Sequence, residues 1–173
     1  MSRTFVGARA LEAPMPDATD LAILQLLQAN ARTSNADIAR RLDMAPSAIL
    51  DRIRKLEQKG IIQGYTARIA PGAVGLGLTA FILVRTEERV GLGTIGQALA
   101  RVPEVLEVHH VAGEDCYLVK VRVPDTAALS RLLHERFGRL KGVRNTRSTI
   151  VLATVKEGAP LPLPTGKGVD HDA

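Results

Sequence analysis

Apolar residues recur along this chain with two different periods, and the change between them divides it. Over 17–60 they return every three or four positions, the spacing of a helix face, while from Leu78 onward they alternate or run together as in strands. Leu21, Ile23, Leu24 and Leu27 make the apolar face of a helix predicted over Asp17–Asn30, which Asp17 or Thr19 can cap. After the break at 31–35, Ser34 or Asn35 caps a short second helix over Asn35–Leu42, and Asp43-Met44-Ala45 interrupts it. A third helix, Pro46–Lys59, carries Ile49, Ile53 and Leu56 at i, i+4 and i+7, one buried stripe. Pro46 suits the first helical position because its missing N–H would have no partner there, and Gly60 suits the left-handed position past the helix end. Ser47, Asp51, Arg52, Lys55 and Gln58 lie off the stripe and are free to reach a partner. Three helices with a tight turn before the last form the helix-turn-helix pattern of DNA readers, although an ordinary helical hairpin in a small core has the same spacing.

Ile61 to Ile69 alternates loosely and reads as a strand or connector, and Pro71, Gly72, Gly75 and Gly77 mark a hinge. Strands are predicted over Leu78–Thr86, Val105–Val111, Cys116–Val123 and Val143–Val155, with a turn at Gly113-Glu114-Asp115. Helices fall over Gly93–Val102 (weakened by Gly93 and Gly96) and, capped by Asp125, through Leu129, Leu132, Leu133 and Phe137. The order β-α-β-β-α-β is the ferredoxin-like arrangement, so the fold class is α+β: an N-terminal trihelical helix-turn-helix domain and a C-terminal ferredoxin-like βαββαβ domain. Leu78, Ala80, Ile82 and Val84 line one face of the first strand, yet Phe81 and Leu83 make the other face apolar too. Helices cover only one side of such a sheet, so a second copy of the chain is the economical cover for the other. The domains expected are a tail over 1–16, the helix-turn-helix over 17–66, a linker over 67–76, the ferredoxin-like domain over 77–156, and a Pro- and Gly-rich tail over 157–173 with Leu161 and Leu163 tucked against that domain.

Composition sharpens the first half of this picture. The net charge is +5, and Arg32–Arg68 holds eight basic residues against four acids, so most of the excess sits on the helix-turn-helix segment, where phosphates would meet it. Aromatics make up only 3%, which disfavours a stacking platform for single strands. The chain has no apolar run long enough for a membrane span and its start lacks the apolar core of a secretory signal. A single cysteine excludes a disulfide framework and a thiolate zinc cluster, and a reducing cytoplasm fits. Cys116 with nearby His109 and His110 reads as a half-buried small residue rather than a catalytic thiol, and His109, His110 and His134 lack metal-ligand spacing. Gly91-x-Gly93-x-x-Gly96 matches a dinucleotide fingerprint only formally, because the fold after it is antiparallel and no ribose-binding acid follows. No metal or cofactor is expected.

The order of motifs resembles the Lrp/AsnC (feast/famine) family of prokaryotic transcription regulators. In the first domain the resemblance rests on Asp20-x-x-Ile23-Leu24, Asn30-Ala31-Arg32, Ile38-Ala39, Arg52-Ile53-x-x-Leu56-Glu57-x-x-Gly60-x-Ile62 and Gly64-Tyr65. In the second it rests on Pro103-Glu104-Val105, Ala112-Gly113-Glu114-Asp115-Cys116-Tyr117, the run from Lys120 to Asp125, Gly142-Val143 and Val155-Lys156. It implies a cytoplasmic, nucleoid-associated, sequence-specific regulator that binds double-stranded operator DNA of imperfectly palindromic form. It also implies a homodimer that assembles to tetramers or octamers and responds to a small molecule, usually an amino acid. The recognition helix is then Pro46–Lys59, with Ser34, Asn35, Ser47, Ala48, Asp51, Arg52 and Lys55 nearest DNA and Arg52 foremost. Asp51 is expected to orient Arg52 rather than read cytosine.

The effector positions implied are Gly113, Glu114, Asp115, Cys116, Thr126, Thr149, Ile150 and Val151, which in relatives lie between dimers. Two departures stand out. Ala45 replaces the Ser that usually caps the recognition helix, and Cys116 stands where relatives often carry Asp before the Tyr117 position. The alternatives weighed are an enzyme on the same two-domain plan, like the sirohaem decarboxylases, and an effector-independent DNA-organising oligomer.

Overall fold

The computed structural model describes residues 15–87, 93–113 and 116–164. Among them the chain forms two compact units: one over 68–155, and a helical one made of the chain up to Ala67 together with the chain from Lys156 onward. The expected tail before Met15, Gly91 of the glycine motif, Glu114 and Asp115 of the turn, and 165–173 lie outside the described residues.

The helical unit is built from α1 (Ala18–Ala29), α2 (Asn35–Leu42) and α3 (Pro46–Gln58). Each boundary has a local cause. Asp17 caps α1, its carboxylate accepting the Asp20 N–H at 2.8 Å. Ser34 caps α2 by accepting from the Asp37 N–H at 3.1 Å. Asp43 then ends α2 in the left-handed region at φ 52°, a conformation that Asp tolerates better than most residues. Ala45 sits at the N-cap of α3 with no side-chain hydrogen bond, and Gly60 turns the chain away at φ 69°. Ile23, Leu24, Ile38, Ala39, Ile49, Ile53 and Leu56 form the core between the helices. Residues 61–70 contain no strand, so the run after α3 is a connector.

The second unit is a four-stranded antiparallel sheet of β1 (Leu78–Thr86), β2 (Val105–His110), β3 (Tyr117–Val123) and β4 (Val143–Ile150), in the order β2-β3-β1-β4. Helices α4 (Thr94–Ala100) and α5 (Thr126–Glu135) bring Ile95, Leu99, Leu129 and Leu132 onto Ala80, Ile82, Val84, Tyr117, Val119 and Val121. This is the expected α+β, ferredoxin-like plan. Gly96, read from sequence as a weakness in α4, is a packing device: a Cβ there would lie 2.7 Å from Cε1 of the buried Tyr117 ring. On the opposite side of the sheet Phe81, Leu83 and Leu118 are half-buried.

Two expectations are corrected. The last strand ends at Ile150, not Val155: Ile150 is paired with Ala80, the Val151 N–H makes one more bond to the Thr79 carbonyl at 2.9 Å, and β1, which begins at Leu78, offers no partner to 153–155. Beyond that point Leu152 is 98% exposed. The C-terminal segment does not tuck against the ferredoxin-like unit either. Leu163 packs against the helical core, and Leu161 is hydrogen-bonded to Gln28 of α1.

Candidate nucleic-acid interface

Helix α3 buries Ile49, Ile53 and Leu56, and its periodicity puts Ser47, Asp51, Arg54 and Gln58 opposite that stripe, with Lys55 beside them; all five are exposed. Ala48 is half-buried on the flank of this face. Arg54 was absent from the residues singled out by sequence, although the helical repeat alone could have found it, since it stands directly across from the buried stripe. The face therefore presents two cations, one acid and two neutral polar groups, chemistry that suits phosphates and base edges.

Arg52 occupies a different place. Its Nη1 donates to Asp17 at 2.7 Å and to Asp20 at 2.8 Å, and the side chain is 32% exposed. The two bonds tie the middle of α3 to the first turn of α1. Asp17 and Asp20, not the adjacent Asp51, orient the guanidinium. Asp17 is held below the usual carboxylate range, first by the Asp20 N–H that it caps and then by Arg52, and the two carboxylates raise Arg52 further above its own. Ser34 is likewise engaged within the chain: besides accepting the Asp37 N–H, its hydroxyl donates to the Asp37 carboxylate at 2.6 Å. That bond, followed by the charge of Arg40, lowers the Asp37 pKa. Asn35 opens α2 and is half-buried.

Among the described residues, the expected effector positions do not converge within one chain. Cys116 is half-buried at one end of β1, its Sγ 4.0 Å from the Thr86 carbonyl, and Gly113 lies just before it in the turn at φ 124°. Thr149 and Ile150 pair with Phe81 and Ala80 toward the other end of β1, Val151 follows, and Thr126 begins α5 just beyond β3, whose Val123 pairs with Leu78. Six residues of strand between Ala80 and Thr86 amount to about 20 Å. The set thus splits into two groups at opposite ends of the sheet. His109 and Lys120 both bond Glu107 on the strands β2 and β3, at 3.3 and 3.1 Å, while the His110 ring lies 5.2 Å from that of Tyr117. Among the described residues no cluster of three His, Cys, Asp or Glu side chains is placed to hold a metal, and no helix is long and apolar enough to cross a membrane.

Comparison with known proteins agrees with this division. Residues 79–161 match the family model for the Lrp/AsnC ligand binding domain, and residues 16–63 match a winged helix-turn-helix DNA-binding model. The chain is 38% identical over 152 residues to the leucine-responsive regulatory protein of Escherichia coli (strain K12), covering 86% of this chain and 92% of that protein. Among solved structures, it is similar to the transcriptional regulator NMB0573 of Neisseria meningitidis in complex with L-Met: TM-score 0.78, 34% identity, 86% of this chain and 97% of that one. A feast or famine regulatory protein from M. tuberculosis complexed with L-methionine matches at TM-score 0.75 and 36% identity, over 82% of this chain and 95% of that one.

Proposed function

The chain belongs to the Lrp/AsnC family, and from that premise we propose that it is a sequence-specific regulator that reads an imperfectly palindromic operator as a dimer or higher oligomer and is tuned by an amino acid. At the coarser level it is an Lrp/AsnC-type transcription regulator with a helix-turn-helix DNA-binding domain and a ligand-binding domain, and no enzymatic step is assigned to it. The observation that carries the DNA reading is the exposed face of α3. Ser47, Asp51, Arg54 and Lys55 enter the major groove in this reading, Ala48 lies against it, and Ser34 and Asn35 present the start of α2 to a phosphate. Arg52 acts in it as a positioning residue: it fixes the tilt of α3 against α1 and touches no base.

The oligomer is supported by the half-buried Phe81, Leu83 and Leu118 on the helix-free side of the sheet. The effector reading is supported by the two relatives solved with methionine, and the separation of Cys116 from Thr149–Val151 favours a site completed by residues of another copy. Cytoplasmic, nucleoid-associated placement follows from this reading.

The test is DNA binding across ionic strength with the purified protein and captured genomic fragments. Affinity should fall steeply with salt, and Arg54→Ala with Lys55→Ala should flatten that slope by about one counterion each. An affinity independent of salt, or a slope unchanged in the double variant, overturns the interface. Addition of methionine or leucine should shift the DNA affinity or the sedimentation coefficient; no change with any of the twenty amino acids overturns the effector reading alone.

A further inference from the structure

The helical unit carries a groove that is not part of the α3 face. Leu24, Leu27 and Gln28 of α1 form one wall, Ile61, Ile62 and Tyr65 of the connector form the other, and the chain's own Leu161 and Leu163 lie in it. About 350 Å³ stays open beside them. The groove is mostly apolar, with Gln28, Gln63 and Thr66 as polar positions in its lining. The Gln28 side-chain amide bonds one residue of the incoming segment in both directions: the Leu161 N–H donates to Oε1 at 2.7 Å, and Nε2 donates to the Leu161 carbonyl at 3.3 Å. Leu163 then packs against the core cluster, whereas Leu161 stays 72% exposed. Tyr65 is fixed from below by α3, its hydroxyl donating to Glu57 at 3.1 Å, and partial burial followed by that bond pushes its phenol up.

The segment is made for such a seat. It reads Ala159-Pro160-Leu161-Pro162-Leu163-Pro164. Each proline locks its own φ and keeps the residue before it extended, so these six residues are ordered before they dock and lose little freedom on docking. Between Pro160 and Pro164 only Leu161 and Leu163 keep an N–H, and Gln28 takes the first of these. The pattern is that of extended proline-rich peptides held in grooves with an aromatic wall, where the backbone supplies orientation and one apolar side chain supplies burial.

We propose that this groove is a docking site for a proline-flanked leucine segment, and that residues 157–164 of the same chain are its occupant, a releasable latch on the DNA-binding unit. One half-buried leucine and two exposed hydrogen bonds make a weak hold, so its closure depends on the segment being tethered, at an effective concentration on the order of millimolar.

The test uses the full chain and no DNA, so its outcome is independent of the operator and effector readings. In the wild type, residue-resolved hydrogen exchange should show the Leu161 amide protected about tenfold or more relative to a free peptide of residues 157–164. In Gln28→Ala and in Leu163→Ser that protection should fall to the peptide rate while the amides of α1 to α3 stay protected. The free peptide, at roughly ten millimolar to exceed the tethered concentration, should bind the Leu163→Ser protein one to one and bind the Gln28→Ala/Leu163→Ser protein at least tenfold more weakly. The wild type, already occupied, should take it up at least tenfold more weakly than Leu163→Ser. A Leu161 amide that exchanges at the peptide rate in the wild type overturns the latch. So does a peptide that fails to bind Leu163→Ser, or that binds it and the wild type alike.

Discussion

Helices α2 and α3 lie next to each other in the chain and are held by opposite means. Helix α2 is stabilised from its own sequence: Ser34 and Asp37 exchange two hydrogen bonds across its first turn, and Arg40 pairs with Asp37 at 3.1 Å. Helix α3 has Ala45 where such a cap would sit and is fastened instead at mid-length, by Arg52 to two carboxylates of α1. The difference is one of reference frame. A capped helix keeps its end wherever the domain goes. A helix fastened sideways is tied at mid-length to its neighbour, here the first turn of α1, while it shares its core with α2 as well.

The comparison can be broken most severely at Arg52. Arg52→Ala removes both bonds and leaves two neighbouring carboxylates without their cation. Urea unfolding followed by circular dichroism should show a loss of about 1–2 kcal/mol, at the lower end for charge-assisted bonds because the group is partly solvated. Asp17→Asn and Asp20→Asn should each cost less and combine with Arg52→Ala less than additively, and a fully additive cycle would show that the three do not act as a unit. Ser34→Ala should cost about 1 kcal/mol in the same assay. The converse change, Ala45→Ser, should return about 0.5–1 kcal/mol by giving α3 the local anchor that α2 has, and no gain would mean that the start of α3 is already satisfied. The smallest effect is that of acid. Asp17 and Asp37 both have folded-state pKa values below their unfolded ones. Their contribution is complete above the unfolded value of about 3.9 and is lost as pH falls through the folded values. Helical signal should thus hold from neutrality down to about pH 4 and decline below it, with Ser34→Ala and Arg52→Ala each narrowing the decline. A wild-type signal falling already near pH 6 would point to other groups.

Much of this architecture was legible because it rests on short-range rules. Period and breakers located α2 and β1 to the residue, Asp125 caps the helix it was expected to cap, and Asp17 and Ser34 are the caps out of the pairs Asp17 or Thr19 and Ser34 or Asn35. What was not legible depends on distant partners. Arg52 looked free on its helix because Asp17 and Asp20 lie more than thirty residues away, and nothing local signals that pairing. The end of β4 follows its pairing with β1, whose last rung is Ala80 opposite Ile150, not its own apolar residues, which continue through Leu152 and Val155. Leu161 meets Gln28 across 133 residues of chain: the sequence suggested that Leu161 and Leu163 tuck in, but nothing local says against which unit. Arg54 was different: the helical repeat pointed to it, and counting from the buried stripe outward finds it.

The path of the backbone carries one more consequence. The chain leaves the helical unit at Ala67, completes the whole sheet unit, and re-enters the helical unit at Lys156. The sheet unit is therefore an insertion within the helical one. On the ribosome, α1 to α3 emerge first, yet Leu163, which packs on their core, emerges only after β4 has been made. Order of synthesis thus imposes an order of completion: among the described residues, the helical unit receives the half-buried Leu163 only after the sheet unit has been made.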